Sequence, residues 1–212
     1  MFGDGALTFR EFIMGEPLPL ATIHQAVLEF LRGRDDAALF GAQAVNAYVD
    51  EARMTQDVDI LSPRAADLAE EIRDYLHRRF GIAVRIRTVQ EGAGYRIYQV
   101  RQPKNRHLVD VRFVHALPPH QRVEEVPVLT PVELIATKVL ALARRQGRPK
   151  SGTDWRDLGM MLLTFPELKT DPGPVRDRLE AVVAGGADAG VLEVWKDLVA
   201  QEILPEDEDA GF

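Results

Sequence analysis

After Pro19-Leu20-Ala21, apolar residues recur at helical spacing: Ile23, Val27, Leu28 and Leu31 predict a helix that stops around Arg34-Asp35-Asp36. The short apolar run Ala37 to Phe40 reads as a buried strand broken by Gly41, and Ala42 to Val49 suits a short helix. Gln56 to Leu61 alternates as a strand and ends at Ser62-Pro63. Leu68, Ile72, Leu76 and Phe80 mark an amphipathic helix over Arg64 to Phe80. Three alternating segments follow. In the first, Val84, Ile86 and Thr88 interleave with Arg85 and Arg87; the second is Tyr95 to Arg101 and the third His107 to Val114. The turns Glu91-Gly92-Ala93-Gly94 and Gln102-Pro103-Lys104-Asn105 separate them, which predicts an antiparallel meander. Val128 to Thr130 adds a candidate edge strand.

From Pro131 the pattern is helical. Thr130-Pro131-Val132-Glu133 reads as a helix start, with Thr as cap, Pro at the first position and an acid in the first turn. Ile135, Val139 and Leu142 line one face of this helix, and Gly147-Arg148-Pro149 ends it. Ser151 or Thr153 caps a second helix carrying Leu158, Met161, Leu162 and Phe165. Two more helices are expected over Val175 to Val183 and Leu192 to Ile203, then an acidic tail at Glu206-Asp207-Glu208-Asp209. The pattern divides the chain into an α+β part, residues 1–120, and a helical part, residues 121–212.

Charge complicates this picture. The 212 residues carry 26 Lys+Arg against 33 Asp+Glu, a net charge of -7. That total argues against broad binding to duplex nucleic acid. Its distribution is uneven, however. Arg73 to Arg112 holds ten basic and three acidic residues, whereas Glu167 to the C-terminus holds four basic and twelve acidic. The basic middle suits an anionic partner, or else a solvated Arg-rich surface. The chain has no cysteine, which excludes disulfides, thiolate catalysis and Cys-ligated zinc. The N-terminus lacks the basic start and apolar stretch of a secretory signal, and no apolar run is long enough to span a bilayer, so a cytoplasmic protein without a membrane partner is expected.

The most informative segment is Thr55-Gln56-Asp57-Val58-Asp59-Ile60-Leu61. On a strand, Asp57 and Asp59 project to one face while Val58 and Ile60 project into a core. Two such carboxylates repel one another unless a cation is present. Mg²⁺ takes oxygen ligands of this kind together with phosphate oxygens; two solvated acids on an exposed strand are the plain alternative. Asp110 sits on the later strand candidate, on the face opposite Val109, Val111 and Phe113 and shared with Leu108 and Arg112. Gly41-Ala42 forms a turn of small residues through which backbone amides approach a phosphate. The five histidines have no metal-site spacing, and His107 reads as structural. Trp155 reads as packing rather than base stacking.

The ordered set Gly41-Ala42, Asp57-Val58-Asp59 and Asp110 resembles the nucleotidyltransferase superfamily with the polymerase-beta-like fold. The stretch Gly41-Ala42-Gln43-Ala44-Val45, followed by Arg53-Met54-Thr55-Gln56-Asp57-Val58-Asp59, is most similar to its AbiEii-type branch of toxin–antitoxin and phage-defence toxins. Lys138, Arg145, Lys150, Arg156, Asp157 and Leu158 follow in the order of that branch, so the resemblance covers roughly residues 20 to 165. It departs at Ala42, where the family has Gly or Ser, and in a slightly long gap from the turn to Asp57.

The resemblance implies a mixed sheet flanked by helices, followed by a C-terminal helical part. It implies a toxin-type enzyme that moves a nucleoside monophosphate from an NTP to a hydroxyl of a tRNA 3′ end or a protein, releasing pyrophosphate. Asp57, Asp59 and Asp110 would be the Mg²⁺ (or Mn²⁺) ligands, with Asp110 alternatively a general base. Lys138 would join them as a catalytic residue. Gly41, Ala42, Gln43, Arg53, Thr55, Arg145 and Asp157 would contact the nucleotide. Lys138 and Arg145, seven apart, share a helix face; ordinary surface cations are the alternative. Asp157 would orient one of them through a salt bridge or serve the helix itself. A cognate antitoxin is the implied partner. Two other functions fit the same residues: a catalytically weak or inactive NTP-binding module, favoured by Ala42, and a structural component of a toxin–antitoxin complex.

Overall fold

The alternating segments assemble into one mixed sheet. The computed structural model describes residues 18–205, so the acidic tail at Glu206-Asp207-Glu208-Asp209 and the extreme N-terminus lie outside the described residues. Two compact units are present: one comprises the chain up to Ala47 together with Ala52–Leu129, the other Tyr48–Glu51 together with the chain from Thr130 onward.

The first unit contains helices α1 (Leu20–Leu31), α2 (Gly41–Asn46) and α3 (Ala65–Phe80) and strands β1 (Ala38–Phe40), β2 (Val58–Ser62), β3 (Val84–Val89), β4 (Gly94–Gln99), β5 (Arg106–Phe113), β6 (His120–Val123) and β7 (Val126–Leu129). Strand order is β3-β4-β5-β2-β1-β7-β6. The expected meander is present: β3, β4 and β5 pair antiparallel. Beyond it, β2 pairs parallel with β5 and β1 parallel with β7, which makes the sheet mixed. Residues 128–130, expected at an edge, instead end β7 inside the sheet, because β6 pairs outside it. Helices α1 and α3 pack together over one face of the sheet. Ile23, Val27 and Leu31 of α1 and Leu68, Ile72 and Leu76 of α3 are wholly buried there, as are Val58 and Ile60 of β2. Gly81, in left-handed conformation, terminates α3 as a C-cap.

The second unit contains α4 (Pro131–Arg144), α5 (Lys150–Thr164), α6 (Pro174–Ala184) and α7 (Gly190–Ala200). Helix α4 packs against each of the other three, around a fully buried Trp195. The expected start of α4 is present, with Thr130 Oγ1 accepting from the Glu133 amide. The expected cap of α5 is not: the helix begins at Lys150 without a side-chain cap, and the Ser151 and Thr153 hydroxyls donate back to the carbonyls of Arg148 and Lys150. Among the described residues, no helix is long and apolar enough to cross a membrane.

Candidate active site

Parallel pairing of β2 with β5 sets Asp59 directly beside Asp110. The next strand outward, β4, sets Arg96 beside Asp110, and β1 sets Phe40 beside Asp59. One row across the sheet therefore reads Arg96, Asp110, Asp59, Phe40, on the face away from α1 and α3. Asp57 stands at the bend just before β2.

A strand irregularity adds a residue that periodicity placed elsewhere. His107 and Asp110 are three apart, so a regular strand sends them to opposite faces. Here the pairing of β4 with β5 shifts register between Ile97 and Tyr98: Ile97 faces Val109 and Tyr98 faces His107. Leu108 is the extra residue, fully buried in the core rather than on the face of Asp110. The bulge turns His107 onto the acidic face. Its Nδ1 lies 3.1 Å from Asp57 Oδ2, and its Nε2 lies 3.0 Å from Asp110 Oδ1. The ring leans on Tyr98, centroids 5.0 Å apart. Burial pulls the imidazole down, but hydrogen bonds and charge from Asp110 and Asp57 outweigh it and raise the ring to about 9. An imidazolium thus bridges two carboxylates.

Two guanidinium groups complete the charge pattern. Arg96 Nε donates to Asp110 Oδ1 at 3.1 Å. Arg112 Nη2 lies 3.8 Å from Asp59 Oδ1, and its guanidinium covers the Phe40 ring at 4.7 Å.

Gly41 is fixed by Asp59. Its φ is +74°, and a Cβ placed there would stand 2.1 Å from Asp59 Oδ2 and 2.9 Å from Asp59 Cβ. Only glycine lets the turn lie against that carboxylate. Ala42 and Gln43 follow in the first turn of α2. The segment leading to Asp57 is tied to α2 by two contacts. Gln43 Nε2 donates to Thr55 Oγ1 at 3.0 Å. Asn46 pairs with the backbone of Arg53, accepting from its N–H at 3.1 Å and donating to its C=O at 2.8 Å. Gln43, Thr55 and the Arg53 backbone therefore hold the approach to Asp57.

In the second unit, Lys138 Nζ donates to Asp157 Oδ2 at 2.5 Å and lies 3.9 Å from Asp154 Oδ1. Arg145, the C-cap of α4, donates to Asp154 Oδ2 at 2.6 Å. Lys138 and Arg145 are thus joined through α5 acids, with Lys138, Asp154 and Asp157 all buried. Asp154 and His107 are the members of these clusters that sequence patterning did not single out. Asp154 lies one helical turn before Asp157, a spacing that signals a shared face. The offset of His107 depends on the bulge, for which the sequence has no glycine to serve as a marker. Trp155 is half-buried on α5.

The sequence profile of the family described as nucleotidyl transferase AbiEii toxin, type IV TA system, matches residues 25–210. No curated protein sequence matches the chain. Among solved structures, the Megavirus polyadenylate synthase is similar with a TM-score of 0.58 and 14% identity, covering 74% of this chain and 34% of the viral one. The chain thus spans about a third of that enzyme's length. JHP933 from Helicobacter pylori is similar with a TM-score of 0.53 and 14% identity, over 92% of this chain and 91% of that one. Those likenesses concern the fold, a mixed sheet flanked by helices. With the profile spanning nearly the whole sequence, the chain belongs to the AbiEii nucleotidyltransferase toxin family of type IV toxin–antitoxin systems.

Proposed function

We propose that this chain moves a nucleoside monophosphate from an NTP to a hydroxyl of a tRNA 3′ end or a protein, as the toxin of a pair with a cognate antitoxin. The observation that carries the reading is the placement of Asp59 beside Asp110 across parallel strands, with Asp57 tied to Asp110 through His107.

The donor set fits a divalent ion. Three carboxylates converge on a patch where imidazolium and guanidinium groups already balance their charge. Asp57, Asp59 and Asp110 would hold Mg²⁺ or Mn²⁺. When bound, such an ion supplies charge neutralisation and alignment of a polyphosphate.

The chain's own residues do the rest. The turn at Gly41 and Ala42 brings bare backbone against Asp59, where no side chain obstructs a phosphate. Arg96 and Arg112 place positive charge beside the acids and draw a polyanion to them. Both hydrogen bonds to Asp110 fall on Oδ1, so Oδ2 is the oxygen for the proton of the attacking hydroxyl. That hydroxyl oxygen bonds the α-phosphorus, and the bond to the pyrophosphate leaving group breaks.

The test incubates the protein with each labelled NTP, total RNA and cell protein. Label transfer is expected in the wild type and is expected to vanish in Asp57→Asn and Asp59→Asn. Transfer that survives both substitutions rules out this site.

A further inference from the structure

We infer that His107 is itself a ligand of the divalent ion, so that the centre is an Asp57/His107/Asp110 nitrogen–oxygen site that takes Mn²⁺ in preference to Mg²⁺. The inference rests on the metal site proposed above and names its donor chemistry.

One donor atom from each of Asp57, His107 and Asp110 lies within 4.8 Å of the other two. Asp59, although it neighbours Asp110 in register, turns its Oδ2 toward the Gly41 turn. The acid cluster alone is therefore not the tightest donor set in this patch; the set with the imidazole is. His107 reaches it only through the bulge at Leu108, a departure from regular pairing of the kind that re-aims a side chain beside an active site. The ring is fixed as well as aimed, by Tyr98 against it and by the cross-strand pairing of the same two residues. An ion shared by Asp57 and Asp110 meets a ring nitrogen at both carboxylates, since Nδ1 faces one and Nε2 the other. Mg²⁺ is a hard ion that favours all-oxygen coordination. Mixed imidazole and carboxylate donors favour later divalent ions, and affinity for a given site rises from Mn²⁺ onward along the first transition row.

The experiment uses the whole chain and the metal alone. Mn²⁺ binding is followed by electron paramagnetic resonance, Mg²⁺ by competition, and directly bound imidazole by the nitrogen modulation of the Mn²⁺ echo. Wild-type protein is expected to show nitrogen modulation and to hold Mn²⁺ about tenfold more tightly than Mg²⁺. His107→Ala is expected to lose the modulation and to weaken Mn²⁺ about tenfold while changing Mg²⁺ less than about threefold. His107→Gln, a polar side chain of similar reach, provides the same comparison should the alanine variant fail to fold. Absence of nitrogen modulation in the wild type, or equal losses for both ions on substitution, overturns the inference: His107 is then a bridging cation and not a ligand. Asp57→Asn and Asp110→Asn separate this failure from that of the site itself. If they abolish Mn²⁺ binding while His107→Ala does not, only the inference falls; if Mn²⁺ binding survives in both, the carboxylate site falls with it.

Discussion

Gly41→Ala tests how turn, strand and acid are locked together. The new Cβ would meet Asp59 Oδ2 at 2.1 Å, Cγ at 2.8 Å and Cβ at 2.9 Å. Rotating the carboxylate relieves the first two contacts but not the third, and it moves Asp59 from its place. Backbone strain adds to this, because φ is +74° and a non-glycine residue there costs about 1–2 kcal/mol. Overpacking of the kind left after rotation costs on the order of 1–3 kcal/mol. The expected loss is therefore about 3 kcal/mol. Urea unfolding followed by far-ultraviolet circular dichroism measures it, and hydrogen exchange of the β1 and β2 amides locates it in the first unit. The two contributions are separable in a double-mutant cycle. Asp59→Ala removes Oδ2 and Cγ but leaves Cβ and the positive φ. Gly41→Ala in that background should cost about 1 kcal/mol less than in the wild type. Additivity of the two substitutions, or a Gly41→Ala variant within about 0.5 kcal/mol of wild type, refutes the steric argument.

Lys138→Met leaves Asp157 and Asp154 buried without their ammonium partner, and should destabilise the second unit by about 3–5 kcal/mol. Fluorescence of buried Trp195 reports that unit's unfolding, and Lys138→Met combined with Asp157→Leu should recover much of the loss. Asn46→Ala removes both hydrogen bonds to Arg53; it should cost about 1–2 kcal/mol, seen in thermal unfolding, and should raise exchange of the 52–57 amides. Asp36 is held below the usual carboxylate range, first by its hydrogen bond from Arg34 and then by Arg64, against the opposing effect of burial. A lowered native value means stability that is present above the unfolded carboxylate range and lost as pH falls through it. Asp36→Asn should therefore flatten the acid side of the stability profile and cost about 1 kcal/mol near neutral pH.

The sequence made the helices and most strands visible because each carries a clear period: Leu68, Ile72 and Leu76 at helical spacing, Val58 and Ile60 alternating with Asp57 and Asp59. The Gly41 turn, the Asp57-Val58-Asp59 strand and Asp110 were readable as a set for the same reason. What periodicity hides is pairing between distant strands. Nothing local to β2 or β5 says that they lie parallel, nor to β7 that it is flanked by β1 and β6. His107 was misjudged because strict alternation sets it opposite to Asp110, and one extra residue, Leu108, reverses that. Lys138 and Asp157 were identified separately, but Asp154 was not, because its partner Arg145 lies across an interhelical turn whose geometry only packing decides. The caps at Ser151 and Thr153 failed because α5 begins at Lys150, so both hydroxyls lie inside its first turn.

The parallel pairing of β2 with β5 also sets the moment at which the site comes into being during synthesis. Asp57 and Asp59 leave the ribosome about fifty residues ahead of Asp110 and His107, and β1 gains its second neighbour only when β7 has followed. A nascent or truncated chain ending before β5 has two of the acids but neither the third nor the imidazole that ties Asp57 to it. For a protein of a toxin family, such a chain cannot assemble the site while it is still being made.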